Sequence, residues 1–254
     1  MGELATVEGS SIREKLDVQP PSVSEWVNML IFGDTGVGKT HFLGTAADCP
    51  AFSPLLIIDC EGGLATIRHR TDIDVVVART MKDLEKIHNE LFLNNDNHYK
   101  CVGIDSVTEI QDLDMRTIMR ETKMLARNPD NVDIDVPSPR EWGKSRNHIR
   151  AIVRAFRDLQ MHCIITALHT EVSEEGRPDR LQPDLPGKQR VEIPGFMDIV
   201  GYYYKEDGNL RKMQFTGTKR VPKAKTRYSE LGDVIDNPTI PILWEKLNAI
   251  AQPD

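Results

Sequence analysis

Eight residues, Gly33 to Thr40, read G-D-T-G-V-G-K-T, preceded by the apolar run W-V-N-M-L-I-F and followed by the helix-compatible T-H-F-L-G-T-A-A. This satisfies G-x-x-x-x-G-K-[ST] in the context the motif needs, a strand running into a tight loop and then a helix. At ordinary residue frequencies a chain of this length shows the pattern by chance roughly once in a hundred sequences, and the flanking elements make it rarer. The glycines let successive N–H groups turn inward around phosphate oxygens, and the positive end of the helix adds to that field. The stretch therefore predicts an α/β fold with a nucleoside triphosphate at Gly33, Asp34, Thr35, Gly36, Val37, Gly38, Lys39, Thr40 and His41. Lys39 would reach the β- and γ-phosphates and Thr40 would ligate Mg2+, so ATP and Mg2+ are the expected cofactors.

Hydrolysis needs acids as well. Two strand-like runs end in carboxylates: P-L-L-I-I-D-C-E-G-G supplies Asp59 and Glu61, and K-C-V-G-I-D-S-V-T-E-I supplies Asp105. In open parallel sheets, ligands lie beyond the carboxyl ends of the strands, so these acids can face the phosphates. Asp105 is followed by Ser106 and not by a second acid, so the water-activating base must come from another strand. Glu61 is the candidate base, Asp59 is next in line, and Asp105 is assigned to the metal. The plain alternative is that Asp59 and Glu61 only cap the next helix. Arg68, a few residues beyond Glu61, is the candidate partner for the adenine ring.

With 254 residues and 39% hydrophobic content, the chain can bury one large core. No run approaches the roughly 18 apolar residues of a membrane span, and the start lacks the basic-then-apolar order of a secretion signal. A soluble, cytoplasmic protein without membrane partners is expected. The four cysteines form no C-x-x-C pair, which reads as reduced core thiols. A net charge of −7 disfavours indiscriminate nucleic-acid binding, although a local basic stripe can still act.

Further on, Ile149, Ile152, Val153, Phe156 and Leu159 fall at helical spacing with Arg146, Arg150, Arg154 and Arg157 on a neighbouring face. The run H-C-I-I-T-A-L-H-T predicts a strand ending near His169. Two stretches without periodicity flank this pair: L-A-R-N-P-D-N-V-D-I-D-V-P-S-P-R-E-W-G-K-S-R, which contains Trp142, and T-E-V-S-E-E-G-R-P-D-R-L-Q-P-D-L-P-G-K-Q-R-V-E-I-P-G-F. Loops that long inside a compact domain are usually functional. Arg177, Arg180, Lys188 and Arg190 offer phosphate contacts, and Trp142 offers a surface on which a base can stack. The reading divides the chain into a flexible arm over 1–24, a core over 25–236 and a closing helix within 237–254, with Ile242, Leu243, Leu247 and Ile250 packed.

The order of these elements resembles the RecA-like recombinase core over about Val27 to Tyr228, carried by I-D-C-E-G-G, G-I-D-S-V-T-E-I, I-I-T-A-L-H-T-E and K-A-K-T-R. Within that superfamily it is most similar to phage-encoded nucleotide-binding proteins of single-strand annealing and recombination. The resemblance implies a P-loop NTPase with a mainly parallel central sheet flanked by helices. It places His169 where a polar side chain senses the γ-phosphate, and the two long stretches where such proteins carry their DNA-binding loops. The basic, acid-free run from Arg211 to Arg227 is similar to the segment whose K-x-K element reaches a neighbouring subunit's γ-phosphate, which implicates Lys223 and Lys225, with Arg227 one alternation further.

Two function classes follow. The first is an ATPase that binds single-stranded DNA and self-assembles into a ring or filament to promote annealing or recombination, with a separate single-strand DNA-binding protein as a further partner and the host cytoplasm as its setting if phage-encoded. The second is a nucleotide-dependent switch or loader acting on a protein partner with little DNA contact.

Overall fold

The computed structural model describes residues 25–94, 98–173, 179–206 and 209–249. The arm over 1–24, Arg177 and Ile250 lie outside the described residues.

The motif strand, β1 (Asn28–Gly33), runs up the middle of the sheet. Met29, Leu30, Ile31 and Phe32 are fully buried, with Met29 and Ile31 packed into one core cluster and Leu30 and Phe32 into the other. A strand covered on both faces reads as a continuous apolar run, which is how this one reads. Each such side chain contributes about 1.5–3 kcal/mol on leaving water.

β2 (Leu55–Asp59), β3 (Ile73–Val77), β4 (Cys101–Asp105), β5 (His162–Val172) and β7 (Ile199–Lys205) join β1 in parallel, in the spatial order β7-β1-β5-β4-β2-β3. β8 (Arg211–Gln214) and β10 (Val234–Asp236) extend the β7 edge in antiparallel fashion. β6 (Arg180–Pro183) pairs with the far end of β5, and the two-residue β9 (Lys225–Thr226) with the start of β7. The sheet is thus mainly parallel and flanked by helices, as the motif required.

One face carries the short α1 (Lys39–Gly44) and α6 (Ile240–Asn248); the other carries α2 (Met81–Leu93), α3 (Val107–Leu125), α4 (Pro139–Arg157) and α5 (Gln189–Phe196). α6 buries Ile240 and Leu243 and half-buries Leu247, whereas Ile242, expected in the core, is exposed. All four cysteines are free and buried. Burial pushes the Cys60 and Cys163 thiols up to about 12, which keeps them protonated and inert. No helix among the described residues is long and apolar enough to cross a membrane.

The two aperiodic stretches contain more regular structure than expected. The first becomes helical at Pro139, where Ser138 and Glu141 close a capping box, so Trp142 stands on the first turn of α4 and not in a loop. The second holds β6 and α5. The arginine stripe of α4 has a local partner: Arg150, Arg154 and Arg157 lie 5.9, 4.3 and 5.7 Å from the ring of Phe196 on α5.

At the end of the sheet opposite Gly33, His162 opens β5 inside an aromatic cage. Phe52 stacks on it at 3.7 Å, and Trp26 and Trp244 meet it edge-on at 5.4 and 5.3 Å. Its Nδ1 accepts from the Val27 N–H at 3.1 Å, which assigns the proton of the neutral ring to Nε2. Desolvation holds its pKa down at about 4.

Candidate nucleotide site

The C-terminal ends of β1, β2 and β4 converge on a cavity of about 460 Å3. Gly38 precedes α1 at φ 108°, a left-handed conformation that costs a glycine little, and no side chain caps the helix. Its first N–H groups are therefore left for a ligand. Lys39 folds back onto the loop, with Nζ donating to the carbonyls of Gly33 at 3.0 Å and Asp34 at 2.8 Å. Burial lowers its pKa, and the opposing pull of Asp105, Glu61 and Asp34 does not overcome that cost. A buried ammonium held only by carbonyls is completed by an anion.

Asp105, at the end of β4, links α1 to β5. Its Oδ2 accepts from the Thr40 hydroxyl at 2.6 Å, and its Oδ1 accepts from Thr166 on β5. Thr166 is not among the residues the sequence singles out; its signal there is a hydroxyl set within the apolar stretch Cys163 to Leu168 of the strand. The Thr40 hydroxyl and the Asp105 carboxylate are hard oxygen donors already side by side, which suits Mg2+. Among the described residues no group of three or more His, Cys, Asp or Glu side chains could hold a metal. A Mg2+ ion here would take its remaining ligands from phosphate and water.

Glu61 lies in the turn after β2 and lines the cavity. Burial and then the Asp105 charge raise its pKa, against Lys39 and a hydrogen bond with Ser106. Asp59 is occupied otherwise: it accepts from the Gly62 N–H at 2.6 Å and pairs with Arg79 at 3.8 Å, bracing the turn that carries Glu61.

Thr35, Gly36, Gly38, Lys39, Thr40 and His41 line this cavity, and Arg68 and His169 do not. His169 sits beyond Thr166 on β5, 6.0 Å from the Tyr202 ring, and its buried Nδ1 has no hydrogen-bond partner among the described residues. Lys225 pairs opposite Val200 and Arg227 binds Asp198 at 2.9 Å, both near the start of β7 and away from the phosphate loop of the same chain. Lys223 precedes them and is half-buried. Of the DNA candidates, Lys188 is exposed, Arg180 is half-buried, Trp142 is 40% exposed, and Arg190 donates through Nε to the Leu185 carbonyl at 2.6 Å. Arg211 also walls the cavity. The sequence marks it only as the first residue of the basic run, because nothing there tells which strand of a hairpin crosses to the loop.

The family model described as AAA domain matches residues 26–228, four-fifths of the chain. The chain belongs to that family. The match makes it a P-loop ATPase domain. No curated protein matches it. Among solved structures it is similar to one titled "Crystal structure of the RadB recombinase", at 12% identity and a TM-score of 0.47, covering 83% of this chain and 86% of that one.

Proposed function

We propose that this ATPase hydrolyses ATP at subunit interfaces of an oligomer and uses it to act on single-stranded DNA in annealing or recombination, in the manner of the phage-encoded proteins it resembles. The observation that carries the reading is the convergence of Lys39, Thr40, Asp105 and Glu61 on one cavity. Lys39 exchanges its carbonyl contacts for phosphate oxygens. Thr40 and Asp105 would hold Mg2+, which would supply charge neutralisation and polarisation of the phosphates. Glu61, ionised, accepts a proton from the attacking water, and Thr166 keeps Asp105 oriented.

Exposed Trp142 and Lys188 support DNA contact. Lys223 and Lys225 would complete a neighbour's site across the interface, whereas Arg227 would first have to leave Asp198. Lys39→Ala should abolish tight ATP binding, and ATP turnover measured with and without single-stranded DNA tests the rest. Stimulation is the expected result; an unchanged rate assigns the protein to the switch class.

One observation favours that second class. The end of α3 and its connection to α4 present exposed Met124, Leu125, Ile134 and Val136 with Asp130, Asp133 and Asp135 and one exposed cation, Arg127, an apolar and mainly acidic surface that suits a protein partner better than a phosphate backbone.

A further inference from the structure

We propose that Arg211 binds the phosphates of the nucleotide held by its own subunit, a cis role distinct from that of the basic residues further along the chain. The inference rests on the reading of the phosphate loop as a nucleotide site.

Arg211 opens β8, opposite Lys205 of β7. Asn237 pins its backbone from both sides: the Arg211 N–H donates to Asn237 Oδ1 at 3.2 Å, and the Arg211 carbonyl accepts from the Asn237 N–H at 2.6 Å. From that fixed point the side chain crosses to the phosphate loop, where Nε donates to the Val37 carbonyl at 3.0 Å. The crossing depends on Gly38. A Cβ at that position would lie 3.1 Å from Arg211 Nε and 3.7 Å from its Cδ, closer than the first of these contacts comfortably allows. The glycine that gives the loop its left-handed turn also makes room for the guanidinium.

With Nε anchored, Nη1 and Nη2 of Arg211 have no hydrogen-bond or ion-pair partner among the described residues, yet the side chain walls the same cavity as Lys39, Thr40, Glu61 and Asp105. A polyphosphate entering there meets two carboxylates, and Lys39 is the other strong cation lining the wall. A planar fork with two free nitrogens matches a pair of phosphate oxygens and offsets that repulsion. The competing role is mechanical: the Nε contact alone would brace the Val37 carbonyl, and charge would be irrelevant.

The experiment compares wild type, Arg211→Lys, Arg211→Gln and Arg211→Ala for ATP affinity by isothermal calorimetry with Mg2+ present, and for melting temperature without nucleotide. The expected result is a loss of about 10- to 100-fold in affinity for Gln and Ala, the size of one charge-assisted contact, with Lys between wild type and Gln because it keeps the charge and loses the fork. Gln at wild-type affinity overturns the proposal, as does Lys falling as far as Gln, since a brace would not distinguish charge. If Arg211→Ala melts early, the Lys and Gln pair decides alone. Lys39→Ala serves as the control for the underlying reading. Wild type that binds no ATP removes both readings, whereas wild type and all Arg211 variants binding equally, with Lys39→Ala silent, removes only this one.

Discussion

Replacing Gly33 by alanine tests whether the first glycine of the motif is there for the loop or for the sheet. Its constraint is a close approach: a Cβ at this position would lie 2.0 Å from the Tyr203 carbonyl oxygen on β7, 3.1 Å from its carbon and 3.4 Å from Val37 Cγ2. An ordinary carbon–oxygen contact is about 3.3 Å, so relief needs a displacement of about 1 Å or more between two backbones. Those backbones are paired strands, and Tyr203 is fully buried, so no flexible side chain can yield. Overpacking usually costs about 1–3 kcal/mol, and a backbone-to-backbone clash belongs above that range, at about 3–5 kcal/mol. For a chain of this size that is a fall in Tm of roughly 6–20 °C. The assay is thermal and urea unfolding followed by circular dichroism without nucleotide. Gly143→Ala serves as the contrast, because nothing lies within 4 Å of its added Cβ and the position is inside α4. That variant should gain about 0.5–1 kcal/mol from helix propensity. Gly33→Ala within about 1 kcal/mol of wild type would refute the reasoning.

Glu61→Gln should keep ATP affinity and slow turnover by about 100-fold or more; near-normal turnover would move the base elsewhere. Because burial and Asp105 raise the Glu61 pKa, wild-type turnover should fall on acidification at a higher pH than an ordinary carboxylate would give, and the residual rate of Glu61→Gln should lack that limb. His162 titrates at about 4 in the fold against 6.5 when free, so the unfolded chain takes up the proton first as pH falls. Stability present above pH 6.5 is therefore lost toward pH 4, by about 2 kcal/mol between pH 7 and pH 5, and urea unfolding of His162→Gln should lack that loss. An equal decline in both proteins would sink the assignment. Finally, Lys223→Ala with Lys225→Ala should bind ATP but hydrolyse it poorly, and mixing with Lys39→Ala should restore part of the turnover. No recovery from demonstrably mixed assemblies would place these lysines in cis or in a structural role.

The parts of the site carried by short continuous stretches were legible in the sequence. The strand–loop–helix around Gly33 to Thr40 is a local pattern, and the acids at the ends of β2 and β4 follow from strand periodicity and the crevice rule. The apolar spacing of α4 likewise gave its buried face, Ile149 through Leu159, correctly. The start of that helix was also written in the sequence: S-P-R-E over Ser138 to Glu141 is a capping box with proline at the first helical position, but the charged residues around it have no apolar period to draw attention. What was not legible depends on contacts between distant segments. Thr166 matters because β5 lies between β1 and β4, and Arg211 because a hairpin beyond β7 leans over the loop. Alternation groups Arg227 with Lys225, which says nothing of Asp198 waiting just before the adjoining β7.

The cage around His162 places two of the three tryptophans, Trp26 and Trp244, half-buried at the end of the sheet far from the nucleotide, while Trp142 stands exposed on α4. The protein's own ultraviolet emission therefore comes from two unlike populations. The caged indoles should emit toward the blue, resist collisional quenchers and dim when acid charges the imidazole against them. Trp142 should emit toward the red and be reached by acrylamide. A base stacked on it would extinguish the red component and leave the blue one unchanged, so one unlabelled spectrum separates an event on the helical face from a loosening of the sheet.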